Sequence, residues 1–260
     1  MRPPKLQTIR LTRHTGGPTA TLMFNRPERL NALSREVLRD IVTVCRWLDE
    51  AADIKVVVVR GAGRAFCAGF DLDDFRGLRD GSPRDTADLG RLAAEALTDV
   101  RQLTVAAVHG HCVGGGLVLA AACDLRLAAD GTRFSIPEVD LGIPLAWGGI
   151  PRLTRELGPA VTKELVLTCR PFDAAEALRL RFLNRVVPEA DLVAAAEALA
   201  TELAAKPGFS LRATKTHVNA VMNEIAGVGR NANDADSLVA ALHDDESRDT
   251  SRAYLRARGK

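Results

Sequence analysis

Several things are scarce or missing in this sequence, and each absence closes off a class of protein. No apolar run approaches the roughly 20 residues that a membrane span requires; the longest, around Val56–Val59 and Leu117–Cys123, fall well short. The opening Met-Arg-Pro-Pro-Lys-Leu-Gln has no apolar stretch long enough for a signal peptide. There is no Cys-x-x-Cys pair. The five cysteines (Cys45, Cys67, Cys112, Cys123 and Cys169) are odd in number and scattered, which argues for reduced thiols in a cytosolic setting and against zinc. Charge of one sign is not in excess either. A formal net charge of +2, with no run of like charges, implies neither a nucleic acid nor an anionic membrane as partner. Internal repeats and low-complexity linkers are absent. The expectation is a soluble, cytoplasmic protein.

The 260 residues, 47% hydrophobic and 26% charged, suit one large α/β domain, alone or with a small appendage. Such a chain buries enough core to fold without disulfides or a metal. Thr8–His14 and Thr19–Asn25 read as strands joined by Gly16-Gly17-Pro18, a hairpin signal. Ser34 is a candidate N-cap before Val37, Leu38, Ile41, Val42, Val44, Cys45 and Leu48, an apolar stripe at helical spacing. Ile54–Val59 is a β-branched run typical of a strand buried on both faces. Charged helical segments follow from about Asp71 to Arg101. Thr104–Val108, Leu125–Ala128 and Arg133–Ser135 read as further strands, with a helix from the glycines at 114–116 through Ala122. From Ile150 onward the pattern is mainly helical, including Asp191–Lys206 and Phe209–Ile225. This predicts an α/β core over residues 1–206 and a helical region over 207–260, divided near Pro207-Gly208.

Three segments carry chemistry. In Arg60-Gly61-Ala62-Gly63-Arg64-Ala65-Phe66-Cys67-Ala68-Gly69-Phe70-Asp71 a strand ends in small residues and a helix begins with an acid. Small side chains let a ligand approach the backbone, and the N–H groups at a helix start are unpaired. A dinucleotide fingerprint does not fit: Phe66 stands where its third glycine belongs, and no strand ending in an acid follows. The second segment is Gly114-Gly115-Gly116 entering Leu117–Ala122. Three glycines at a helix entrance cost about 1 kcal/mol each against alanine. They make sense where a ligand needs bare backbone and the free donors of a helix N-terminus. In the third, Phe134–Pro144, two prolines stiffen the loop and Glu138 stands between apolar neighbours. Apolar surroundings raise a carboxyl pKa towards neutrality, which suits proton shuttling.

In this order the three segments, together with most of the chain, resemble the crotonase (enoyl-CoA hydratase/isomerase) superfamily. Asn25–Ser34 is similar to the family's early CoA-contacting segment and Phe66–Asp71 to its first oxyanion-hole segment. Gly114–Asp124 is similar to the second, and Pro137-Glu138 with Leu141-Gly142 to the catalytic-acid loop. Gly148–Leu153 and Phe172–Ala177 match as well. The resemblance implies a spiral of ββα turns with a helical C-terminus that packs homotrimers, often paired into hexamers. It implies an acyl-CoA thioester as substrate and no separate cofactor. It puts the two oxyanion donors at the N–H groups of Ala68 and Gly115, and a CoA cradle at Arg29, Leu30, Ala32 and Ala68, Gly69, Phe70, Asp71. Arg29 becomes a charge partner for the CoA phosphates. Asp71 reads as a helix N-cap, and Trp147 as lining for the acyl site.

One departure from the family pattern outweighs these matches. Hydratases of the family carry two glutamates, and the first position is Val118 here, three residues after Gly115 and on the same helix face. Only Glu138 remains. A single carboxylate suits enoyl-CoA isomerisation, in which one group moves a proton while the enolate is held. Two alternatives stay open: a hydratase or dehydratase with a displaced second acid, and an acyl-CoA binder without catalysis. Asp140 is the candidate second acid and Asp74 a weaker one. His109 and His111 read as packing or hydrogen-bonding residues. The stretch from about Phe75 to Leu97, with Arg76, Arg79, Asp80, Arg84, Asp85 and Asp88, is expected to form a mobile, partly solvated cover over the acyl group.

Overall fold

The computed structural model of the chain describes residues 3–15, 17–76, 82–227 and 233–259. Strands β1 (Ile9–Arg13), β2 (Thr19–Phe24), β3 (Val56–Gly61), β4 (Leu103–Val108), β6 (Leu125–Ala129) and β9 (Arg185–Val187) form a six-stranded sheet in the order β1-β2-β3-β4-β6-β9. The β1–β2 pair is antiparallel and the other pairs are parallel. A smaller sheet, β5-β7-β8, is built from β5 (His111–Val113), β7 (Arg133–Ser135) and β8 (Phe172–Asp173). After β3 the chain alternates between the sheets. β4 lies in the large one and β5 in the small one, then β6 and β7 repeat the move, and the Cys67–Cys112 bridge begins the same pattern one turn earlier. This is a spiral of ββα turns.

Parallel strands are covered on both faces, and the valine run of β3 shows how. Val57 and Val59 face a core shared with Val37, Leu38, Ile41 and Leu48 of α1 (Arg35–Glu50). Val56 and Val58 face the other way, onto Leu192, Ala196, Leu199 and Ala200 of α8 (Leu192–Ala204). Period-two alternation thus feeds two cores, and the strand needs apolar residues at every position. Ser34 caps α1 as expected, its Oγ accepting the Val37 N–H at 3.3 Å. Asp74, the weaker candidate for a second acid, covers the same helix start by accepting the Arg35 N–H.

The charged stretch after Asp71 forms α2 (Leu72–Arg76) and α3 (Pro83–Asp99), the latter started by Ser82, whose Oγ accepts the Asp85 N–H. Arg79 and Asp80 lie outside the described residues. α4 (Gly115–Ala122) follows β5; α5 (Gly149–Leu157), α6 (Pro159–Thr168) and α7 (Ala174–Arg179) follow β7. At the C-terminal end come α9 (Gly208–Ala226), α10 (Asp234–His243) and α11 (Asp245–Ala257). Lys215 fastens α9 to the core: its Nζ donates to Asp124 and to the Gln102 carbonyl, both at 2.9 Å. The short strands β5, β8 and β9 fall where the sequence reads as loop or helix. Two or three residues carry no usable periodicity, and tertiary pairing alone makes them strands. No helix among the described residues is long and apolar enough to cross a membrane.

Candidate active site

The spiral brings the two glycine-flanked turns side by side. Phe66 N–H donates to the His109 carbonyl, Cys67 N–H to that of His111, and Val113 N–H returns to that of Cys67, at 2.8–3.0 Å. The same ladder lays the segment before α1 against the first turn: Ala68 N–H donates to the Leu30 carbonyl, Leu33 N–H to that of Gly69, and Asp71 N–H to that of Leu33. The three glycines at the start of α4 then each stay bare for a different neighbour. A Cβ on Gly114 (φ +50°) would run into the Glu138 carboxyl, 3.1 Å from its carbon. One on Gly115 would enter the Trp147 ring, and one on Gly116 would lie 2.7 Å from Cys67 Cβ. Helical propensity is given up here so that three other groups can close in.

Two of these groups, Glu138 and Trp147, border an apolar cleft of about 480 Å³, counting its open mouth, that is also lined by Phe70, Gly115, Val118 and neighbours from α2, α3 and α10. Glu138 is the sole carboxylate among its described lining residues. Its Oε2 is buried with no hydrogen-bond partner, and burial pushes its pKa up from 4.5 to about 7, opposed in part by its own backbone N–H. Val118 is fully buried, with a methyl that would lie 3.0 Å from a Cβ on Gly149. Trp147 packs edge-on against Phe70, ring centroids 5.7 Å apart. Phe75, Thr86, Ala87 and Leu238 complete the wall.

The structure redistributes the residues expected at the site. Gly115, Phe70, Val118, Glu138 and Trp147 meet at the cleft. Ala68 does not: its N–H is committed to Leu30 at 3.0 Å and is unavailable to a ligand. Phe70 N–H, two residues on, has no partner among the described residues, and Phe70 borders the cleft. Of these two N–H groups on the first turn, that of Phe70 is the one left free beside the cleft. The Gly115 N–H, at the first turn of α4, is likewise unpaired in the helix.

Arg29, Leu30, Ala32, Gly69 and Asp71 lie beside the cleft, not within its lining. Arg29 pairs with Asp73 at 3.0 Å on the surface. Asp71 is a buried cap, accepting the Asp73 N–H and pairing with Arg26 at 2.9 Å. Asp140, the candidate second acid, is exposed and off the cleft, because the turn from Pro137 to Gly142 points it to solvent. His109 is bonded to the Gly63 carbonyl and His111 is exposed. The expected cover is a packed 17-residue helix: Thr86 and Ala87 are buried, while Arg84 and Asp85 face out.

Residues the sequence reading missed are Gly90, Ile143, Leu145, Arg152 and Leu238. Gly90 did leave a signal, a glycine inside a helical run. Leu238 left none, since only the return of α10 over α3 brings it in.

The family model for enoyl-CoA hydratase/isomerase matches residues 16–259. The protein named probable enoyl-CoA hydratase echA8, from Mycobacterium tuberculosis, is 40% identical over 202 residues, 76% of each chain. The short-chain-enoyl-CoA hydratase of Clostridium acetobutylicum is 32% identical over 204 residues, 78% of each. Among solved structures, an enoyl-CoA hydratase/isomerase from Mycobacterium paratuberculosis superposes with a TM-score of 0.89 at 25% identity, covering 96% of this chain and 100% of that one. With the spiral fold and the paired turns, these matches establish the class. The chain belongs to the enoyl-CoA hydratase/isomerase family of the crotonase superfamily, and is an enzyme acting on acyl-CoA thioesters.

Proposed function

We propose that the protein is an enoyl-CoA isomerase, moving a double bond from the 3 to the 2 position of an acyl-CoA with Glu138 as its single acid–base group. The observation that carries this reading is the solitary carboxylate. Glu138 borders the cleft with one oxygen unpartnered, and Val118, apolar and fully buried, stands where a second acid would act. The Glu138 carboxylate removes a proton from C2 of the 3-enoyl thioester. The electron pair moves into the carbonyl and on through the double bond, and the protonated Glu138 returns the proton at C4. No atom is gained or lost. The enolate oxygen lies between the N–H groups of Phe70 and Gly115; each such donor is worth about 10²–10³ in rate. A pKa of about 7 keeps both forms of Glu138 populated at neutral pH. The backbone of Arg29–Ala32 and Ala68–Asp71 cradles the CoA moiety, with Arg29 near its phosphates.

A second reading, hydration, is favoured by the names of the relatives. It requires a second group to hold the water, and no other carboxylate lines the cleft among the described residues. A panel of 2-enoyl-, 3-enoyl- and 3-hydroxyacyl-CoAs, read by mass and ultraviolet absorbance, separates the two. Isomerisation converts 3-enoyl to 2-enoyl at constant mass, with kcat/KM rising as pH passes about 7 and Glu138→Ala losing about 10²–10⁴. Gain of one water by the 2-enoyl substrate, or full turnover by Glu138→Ala, overturns the isomerase reading.

The assembly we propose is a homotrimer or a dimer of trimers. Support comes from α9, where Val218, Val221 and Ile225 stand exposed at helical spacing. The five free, buried cysteines fit a cytoplasmic location.

A further inference from the structure

The indole of Trp147 is held by features that nothing in the acid–base chemistry requires. Trp147 has φ +61°, a backbone region that a bulky residue rarely occupies. Its carbonyl, and that of Gly148, accept hydrogen bonds from Nη1 of Arg152 at 3.0 and 3.1 Å. Arg152 is 1% exposed; its Nη2 donates to Thr98 on α3 at 3.1 Å, and among the described residues none of its hydrogen bonds goes to a carboxylate. The next N–H, that of Gly148, donates to Asp234 at the start of α10 at 2.8 Å. The ring itself lies between two bare backbones. A Cβ on Gly90 of α3 would overlap Cε2, Nε1 and Cδ2 of the five-membered ring, and a Cβ on Gly115 of α4 would fall against the six-membered ring, 3.0 Å from Cε3. Gly90 has no turn to make and no positive φ; it sits mid-helix, where glycine is disfavoured. Its one evident role is to leave room for the indole.

We propose that Trp147 is the specificity-determining wall of the cleft, fixing the length of acyl group accepted, and that Gly90 and Arg152 are the positioning residues that set where the wall stands. Apolar lining on every side but Glu138 and Thr86 makes the acyl group in question an apolar hydrocarbon chain. The indole stands against both Gly115 and Phe70, so it limits the space beside the two donors. A ring closely packed against the backbones of Gly90 and Gly115 has little room to swing aside for a longer chain. Smaller residues at 147 lengthen the cleft, whereas a side chain at 90 drives the indole into it.

The inference rests on the acyl-CoA reading of the cleft, so binding is measured apart from turnover. Saturated acyl-CoAs of four to twelve carbons are titrated against wild-type protein, Trp147→Phe, Trp147→Ala, Gly90→Ala and the double variant Gly90→Ala with Trp147→Ala, each first verified as folded by circular dichroism. Trp147→Ala is expected to move the preferred chain length up by at least two carbons, with Trp147→Phe moving it less. Gly90→Ala is expected to weaken binding at least tenfold when the indole is present and less than twofold when it is absent, because its effect travels through the ring. A chain-length preference unchanged in both Trp147 variants, or a Gly90→Ala loss of equal size in the two backgrounds, overturns the assignment while leaving the isomerase reading intact. Wild-type protein that binds none of the series overturns both.

Discussion

Replacing Glu138 by glutamine tests the site through stability, independently of any reaction. In the folded chain the carboxyl must ionise within an apolar cleft, one oxygen without a partner, and its pKa stands at about 7. In the unfolded chain it titrates near 4.5. Between those values the folded protein keeps a proton that the unfolded chain has released, so this group's contribution to stability falls as pH rises across the window. At about 1.4 kcal/mol per pH unit, the penalty is complete above pH 7 and amounts to about 3 kcal/mol. Glutamine carries no charge at any of these pH values. Its buried amide adds a cost of about 1–3 kcal/mol that does not vary with pH. The assay is urea unfolding of both proteins from pH 4.5 to about 8.5, at fixed protein concentration and salt. Taking the difference between the two curves cancels every other titrating group. Glu138→Gln should gain about 3 kcal/mol on wild type from the acid to the alkaline end. A difference that stays flat to within about 1 kcal/mol would mean that Glu138 is solvated and not held against Gly114.

Other consequences follow from the same geometry. Val118→Glu restores a second acid on the face of α4 that borders the cleft; it should raise hydration of 2-enoyl-CoA about 10²-fold, detected as product heavier by one water. No gain would show that position 118 does not face the substrate. Lys215→Met leaves Asp124 and the Gln102 carbonyl without their buried cation, and should lower stability by about 3 kcal/mol, roughly 6–10 °C in Tm by calorimetry. Val221→Asp with Ile225→Asp puts charge on the exposed stripe of α9, and light scattering should then report a single chain while Tm falls by no more than about 4 °C; an unchanged solution mass would exclude that face as the contact between copies.

Much of the fold was readable because its signals are local. The valine run of β3, the Ser34 cap and the apolar stripe of α1 appear where periodicity and cap chemistry predict them. The glycines at 114–116 likewise announced that bare backbone was needed, but not for what. One glycine admits Glu138, the next Trp147 and the third Cys67, three partners 24, 32 and 49 positions away along the chain. The choice between Ala68 and Phe70 as donor was equally hidden, for it depends on which N–H the Leu30 carbonyl consumes.

By itself, then, the order of residues determined the alternation of strand and helix, the positions of the two turns, and the presence of one carboxylate where the family pattern has two. These follow from propensity, spacing and side-chain chemistry, which act over a few residues. Only the tertiary structure decided which peptide nitrogens stay free, that one oxygen of Glu138 is buried without a partner, and that a tryptophan is packed against two glycines of different helices. Those outcomes arise from desolvation and excluded volume between segments that meet only once the spiral has closed.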